Sequence, residues 1–158
     1  MIGEEQGQRG AGAGVPAERA ARVLVVDDEP AITAVIVRRL RRENIECEVA
    51  HSGEEAVRRL ESESFDLVLT DVSMPGISGL ELMQRIKSVD PLIQVILMTA
   101  HSDVATAIRA YRGRADGFLL KPFDLEQLAE SVRGRLDHRR RVLAGGAGPP
   151  GPGGGAVG

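Results

Sequence analysis

The sequence predicts an open, three-layer α/β/α domain in which helices cover both faces of a five-stranded parallel sheet. Two observations carry the prediction. Short aliphatic runs alternate along the chain with segments whose apolar residues recur at helical spacing, the pattern of repeated β-α units joined by right-handed crossovers. Most of those runs are apolar at every position rather than at every second one, which suits strands buried on both faces.

The first run is Val23-Leu24-Val25-Val26. Leu67-Val68-Leu69 and Val95-Ile96-Leu97-Met98 have the same character, and Phe118-Leu119-Leu120 is a shorter version. Ile45, Cys47 and Val49 instead alternate with Glu46 and Glu48, as expected of a half-exposed edge strand. Five amphipathic stripes follow the five runs. They are Ile32, Val35, Ile36 and Leu40; Ala56, Val57 and Leu60; Leu80, Met83 and Ile86; Val104, Ile108 and Tyr111; and Leu125, Leu128, Val132 and Leu136.

Glycine marks the limits of the folded unit. Of the 19 glycines, five lie in residues 1–20 and eight in residues 144–158, stretches with little to bury and much backbone entropy to lose. Both are expected to be disordered, leaving one domain over residues 21–143. The hydrophobic fraction is 42% but the aromatic fraction only 3%, so aliphatic side chains must build the core.

Composition also excludes several function classes. Twenty basic residues against 23 acidic give a net charge of −3, which argues against a dedicated nucleic-acid or membrane-surface binder. One cysteine, Cys47, allows no internal disulfide and is expected to be a small buried hydrophobe. No apolar run approaches the ~18 residues of a membrane span, and the N-terminus does not read as a signal peptide. A cytoplasmic protein is expected.

The chemically informative residues sit at the ends of the runs. Asp27 and Asp28 follow the first, Asp71 the third, Thr99 the fourth and Lys121 the fifth. In an open parallel sheet these are the carboxyl ends of strands, where sites form. Three carboxylates and one ammonium leave a local charge of −2, a repulsion that a divalent cation would relieve. Oxygen donors of this kind suit Mg²⁺. A carboxylate can act as a nucleophile toward phosphorus, with a metal, an ammonium and a hydroxyl serving the phosphoryl oxygens. Asp71 is the expected nucleophile and Asp27-Asp28 the expected metal cradle.

Val23 to Pro30 (VLVVDDEP), Asp66 to Gly76 (DLVLTDVSMPG), Leu97 to Ala100 (LMTA) and Leu120 to Phe123 (LKPF) together resemble the response-regulator receiver domain of two-component signalling. The likeness covers about residues 21–137, and the four motifs occur in the family's order. It implies the flavodoxin-like sheet order 2-1-3-4-5. It implies that Asp71 accepts phosphate from a sensor histidine kinase or a histidine phosphotransferase, becoming a 4-aspartylphosphate. Asp28 and Asp71 would then ligate Mg²⁺ directly, Asp27 through water and Ser73 through its backbone carbonyl. Thr99 and Lys121 would hold phosphoryl oxygens, and the Lys121-Pro122 bond would be cis. Phe118 falls at the family's switch-aromatic position, moving with Thr99 to repack the face formed by the fourth helical stripe, the fifth strand and the last helix. A downstream protein is expected there, and the chain is expected as a monomer or a phosphorylation-dependent dimer. His101, two residues after Thr99, falls where the family tunes phosphate lifetime.

Departures from the family pattern are few. Arg114 stands where many receivers have glycine, with Gly113 one residue earlier. Gly134 interrupts the last helix, which Arg133, Arg135 and Arg139-Arg140-Arg141 end with cations suited to the helix dipole. No output module follows residue 143, so the expectation is a stand-alone phosphorelay receiver that switches protein binding and turns over no external substrate. The competing readings are a constitutive interaction scaffold with an unused pocket and a Mg²⁺-dependent aspartyl-phosphate phosphatase. The latter wants a second aspartate two positions after the nucleophile, where this chain has Ser73. A flavin carrier would need a phosphate-cradling loop where Asp27-Asp28 stand instead.

Overall fold

A computed structural model describes residues 19–100, 105, 108–109 and 114–145. The strands are β1 (Arg22–Val26), β2 (Glu46–Ala50), β3 (Leu67–Asp71), β4 (Gln94–Thr99) and β5 (Gly117–Leu120). Helices α1 (Pro30–Arg41), α2 (Gly53–Ser62) and α3 (Gly79–Val89) connect the first four strands, and the C-terminal helix α4 spans Leu125–Leu143. All five strands run parallel, as the sequence predicts, in the order β2-β1-β3-β4-β5 that the family resemblance implies. The stripe Val104, Ile108 and Tyr111 lies mostly outside the described residues, as do His101, Gly113 and most of residues 1–20 and 144–158.

Strand pleating explains why continuous apolar runs are needed. Val23, Val25, Leu67, Leu69, Ile96 and Met98 pack with Ile36 and Leu40 of α1 and Leu128 and Val132 of α4. Their chain neighbours Leu24, Val26, Val68, Val95 and Leu97 pack on the opposite face with Ala56 of α2 and Leu82, Met83 and Ile86 of α3. Successive residues of one strand thus feed two separate cores. Each fully buried leucine contributes about 2–3 kcal/mol. Cys47 lies in the first core, where burial pushes its thiol pKa up to about 11.

The β5 run corrects one expectation. It reads as buried on both faces, but only Leu119 is buried, while Phe118 is 36% exposed. β5 ends the strand order and pairs with β4 alone. A strand with one neighbour has less cover for its outer face.

Helix starts follow local chemistry. Ser52, Ser78 and Asp124 cap α2, α3 and α4 by accepting from the N–H groups of Glu55, Glu81 and Glu126, contacts worth about 1 kcal/mol each. For α1 the cap residue is Glu29, followed by Pro30, with no side-chain cap. Asp27 and Asp28 therefore precede the helix rather than cap it.

Charged side chains tie elements together at the rim opposite the carboxyl ends. Asp66 accepts from the backbone N–H of Arg22 at 2.8 Å and pairs with Arg139 at 3.1 Å. Arg139 also donates to the Leu92 carbonyl at 2.8 Å, so it fastens α4 to the sheet rather than merely answering the helix dipole. Buried Lys87 donates to the carbonyls of Pro91 and Ile93 and pairs with Asp116 at 2.6 Å. Between α1 and α4, Arg39 grips Glu126 through two nitrogens and Glu43 through a third, and Arg133 also reaches Glu43.

Candidate functional site

Parallel register brings the strand ends level. Val26 pairs with Thr70, so Asp27 and Asp71 come next on adjacent strands. Asp71 in turn sits opposite Met98, one residue before Thr99, and Thr99 pairs with Leu120, one residue before Lys121. Backbone bonds extend the alignment beyond the strands, from Asp27 N–H to the Ala50 carbonyl at 3.1 Å and from Lys121 N–H to the Thr99 carbonyl at 2.7 Å. Groups spread over ninety-odd residues of chain share one rim because the sheet order places β1, β3, β4 and β5 side by side.

Three carboxylates and one ammonium meet there. Oxygen atoms of Asp27, Asp28 and Asp71 all lie within 4.8 Å of one another. Asp27 is fully buried, Asp71 is 8% exposed and Asp28 faces solvent. The ammonium of Lys121 donates to Asp27 Oδ2 at 3.0 Å and lies 3.1 Å from Asp71 Oδ1. The second Asp27 oxygen accepts the backbone N–H of Glu29 at 2.9 Å. One lysine thus faces two buried acids, and Asp28 adds a third negative charge at the mouth.

The electrostatics follow from that crowding. Burial raises the Asp71 pKa above the ordinary aspartate value, and the charges of Asp27 and Asp28 push the same way, while the Lys121 hydrogen bond and charge offset part of the rise. Burial alone would lower the pKa of Lys121. Its hydrogen bonds to Asp27 and Asp71, with the charges of both acids, nevertheless hold it above the ordinary lysine value. The donor set is hard oxygen with surplus negative charge, which fits Mg²⁺.

The remaining predicted residues are placed less uniformly. Thr99 is buried, 1% exposed, and its hydroxyl donates to the neighbouring Ala100 carbonyl at 3.2 Å. Ser73 is exposed in the loop after β3. Phe118 sits on β5 opposite Leu97, partly in solvent. The Lys121-Pro122 bond is cis.

Several contributors escaped the sequence reading. Gly79 opens α3 beneath the Asp71 carbonyl, and a Cβ there would overlap that oxygen and lie 2.9 Å from its carbon. Only glycine lets the two approach. At the end of β2, His51 meets the buried Thr33 hydroxyl at 3.3 Å. Lys121 pairs with Asp27 as well as with Asp71. Gly79, three residues after the Met74-Pro75-Gly76 turn, carried a usable sequence signal; the Thr33–His51 contact did not.

A sequence profile of the response regulator receiver domain matches residues 23–133. The chain belongs to that family. Among relatives of this receiver domain, the DNA-binding transcriptional regulator NtrC of Escherichia coli (strain K12) is 39% identical over 116 residues, which is 73% of this chain and 25% of NtrC. The transcriptional regulatory protein TrcR of Mycobacterium tuberculosis is 36% identical over 115 residues, 73% of this chain and 45% of TrcR. The chain therefore spans less than half the length of either regulator. Among solved structures, a receiver domain protein from Clostridium thermocellum superposes with a TM-score of 0.73 at 34% identity, covering 78% of this chain and 98% of that one. A CheY-like receiver domain protein from Methanospirillum hungatei gives 0.74 at 27% identity, covering 78% and 99%.

Proposed function

We propose that this receiver domain is a Mg²⁺-dependent phosphoacceptor: Asp71 takes a phosphoryl group from a phosphohistidine on a sensor kinase or a histidine phosphotransferase. The observation that carries the reading is the placement of Lys121 between Asp27 and Asp71, 3.0 and 3.1 Å from their oxygens, inside a cluster of three carboxylates. Asp71 attacks phosphorus through Oδ2, the oxygen that Lys121 does not pair with. The P–N bond breaks as the P–O bond forms, and its electron pair returns to the imidazole. Asp28, Asp71 and the Ser73 carbonyl would hold Mg²⁺, with Asp27 reaching it through water, and the bound ion would supply positive charge to the phosphoryl oxygens.

Lys121 is already in place for the product. Its ammonium can move from the Asp71 carboxylate to a phosphoryl oxygen with little displacement. Thr99 must instead rotate its hydroxyl away from the Ala100 carbonyl to donate there. That rotation frees space beside β5, into which Phe118 turns, altering a face recognised by a downstream protein. Phe118 is 36% exposed, which this reading takes as its position before phosphorylation. The domain is proposed to act in the cytoplasm; among the described residues no helix is long and apolar enough to cross a membrane.

Acetyl phosphate with Mg²⁺ tests the assignment. Base-labile, acid-stable phosphate is expected on the parent and absent from Asp71→Asn; persistent labelling of that variant overturns the role of Asp71. Capture of partners with and without beryllofluoride, a stand-in for phosphoryl on aspartate, then identifies the switched face's ligand.

A further inference from the structure

The geometry points to Glu54 as a positioning residue for the loop that carries Ser73, whose carbonyl the proposed function assigns to Mg²⁺. The inference rests on the phosphoacceptor reading above, because it concerns how the proposed metal-binding loop is held. Residues 72–78 join β3 to α3. Backbone bonds fasten both ends of that loop, from Val72 N–H to the Met98 carbonyl and from Gly79 N–H to the Val72 carbonyl, each 2.9 Å.

The far side of the loop is held from another element. Glu54, in the first turn of α2, accepts the backbone N–H of Ile77 through Oε2 at 3.2 Å. Gly76 turns the chain at φ +75, and a Cβ on it would come within 2.5 Å of that same Glu54 oxygen. Gly53, one residue before Glu54, leaves the space that Ile77 fills, since a Cβ there would lie 2.6 Å from Ile77 Cβ. Two glycines and one carboxylate thus let α2 and the loop come together.

The neighbouring acid has a different task. Glu55 accepts the His51 backbone N–H at 2.9 Å and donates its own N–H to the Ser52 hydroxyl at 3.0 Å. Helix α2 is therefore capped without Glu54, whose carboxylate serves the loop. Gly76 and Ile77 lie three and four residues from Ser73, so a loop released at Ile77 can shift the Ser73 carbonyl that the proposed function assigns to Mg²⁺. A carboxylate accepting a backbone N–H is a charge-assisted bond, and an amide oxygen can replace it in the same place.

The test uses the full chain as parent, Glu54→Ala and Glu54→Gln, with Mg²⁺ affinity read by calorimetry. The alanine variant is expected to bind Mg²⁺ about tenfold more weakly, the lower end of what losing a supporting contact around a metal does. The glutamine variant should bind near parental strength, both should melt close to the parent, and acetyl-phosphate labelling of the alanine variant should recover at saturating Mg²⁺. Unchanged Mg²⁺ affinity in Glu54→Ala overturns the inference, as does glutamine failing to rescue or labelling that stays low at saturation. A parent chain that binds no Mg²⁺ removes the phosphoacceptor reading, and this inference with it.

Discussion

Lys121 donates to the fully buried carboxylate of Asp27 at 3.0 Å, across 94 positions of sequence. Lys121 supplies Asp27 with the counter-charge that bulk water cannot reach it to provide. The acid is fully buried, and its other oxygen is already committed to the Glu29 N–H.

Replacing Lys121 with methionine keeps the apolar stem and removes the ammonium. Two buried acids then face each other uncompensated, so a stability loss of about 2–3 kcal/mol is expected at neutral pH. Mg²⁺ should restore more stability to Lys121→Met than to the parent, because the variant has more negative charge to neutralise. Urea unfolding with and without Mg²⁺ measures both. Equal Mg²⁺ effects in the two proteins would contradict the arrangement.

Asp71→Asn should be more stable than the parent in the absence of Mg²⁺, with a defined pH dependence. The folded pKa of Asp71 is raised above its ordinary 3.8, chiefly by burial. A raised acid favours the folded state while protonated, and that advantage is lost as pH rises through the folded value. The gap between variant and parent should therefore be small below pH 3.8, widen above it, and level off once Asp71 is fully ionised. Denaturant midpoints from acid to neutral pH follow the curve. A gap that narrows with rising pH would reverse the sign.

Gly134 lies within α4, and a Cβ there would meet nothing within 4 Å. Alanine should raise stability by about 1 kcal/mol through helix propensity alone. The melting temperature reports it, and Asp71 labelling should stay at the parental level.

Asp66 and Arg139 are 3.1 Å apart and each is mostly shielded, with side chains 13% and 14% exposed. A double-mutant cycle with Asp66→Asn and Arg139→Gln should return a coupling of about 1 kcal/mol. Single-variant losses that simply add would show the pair to be incidental.

What could be read from the sequence divides along physical lines. The doubly buried strands β1, β3 and β4 were legible because two-sided burial leaves a continuous aliphatic run. β5 carried the same signal and misled, since Phe118 stands at a sheet edge without the polar alternation that marks the other edge strand, β2. Asp27, Asp71 and Lys121 were legible because parallel register makes strand ends converge whatever the loop lengths. The Thr99 hydroxyl was not, because a rotamer is chosen among donors and acceptors that only the folded rim supplies. Arg139 read as a helix-end cation; its partners, Asp66 and the Leu92 carbonyl, are 73 and 47 residues away, beyond the reach of any local rule. Glu54 was hidden similarly, in a first helical turn where acids are ordinary.

The outer strand β2 carries Glu46 and Glu48, with side chains 63% and 41% exposed, and both acids pair with Arg22 while Glu48 also meets Arg59. A second molecule that tried to extend the sheet along this margin would have to bring its own acids against these and strip hydration from both. The exposed acids therefore make that margin a poor template for fibre-like growth.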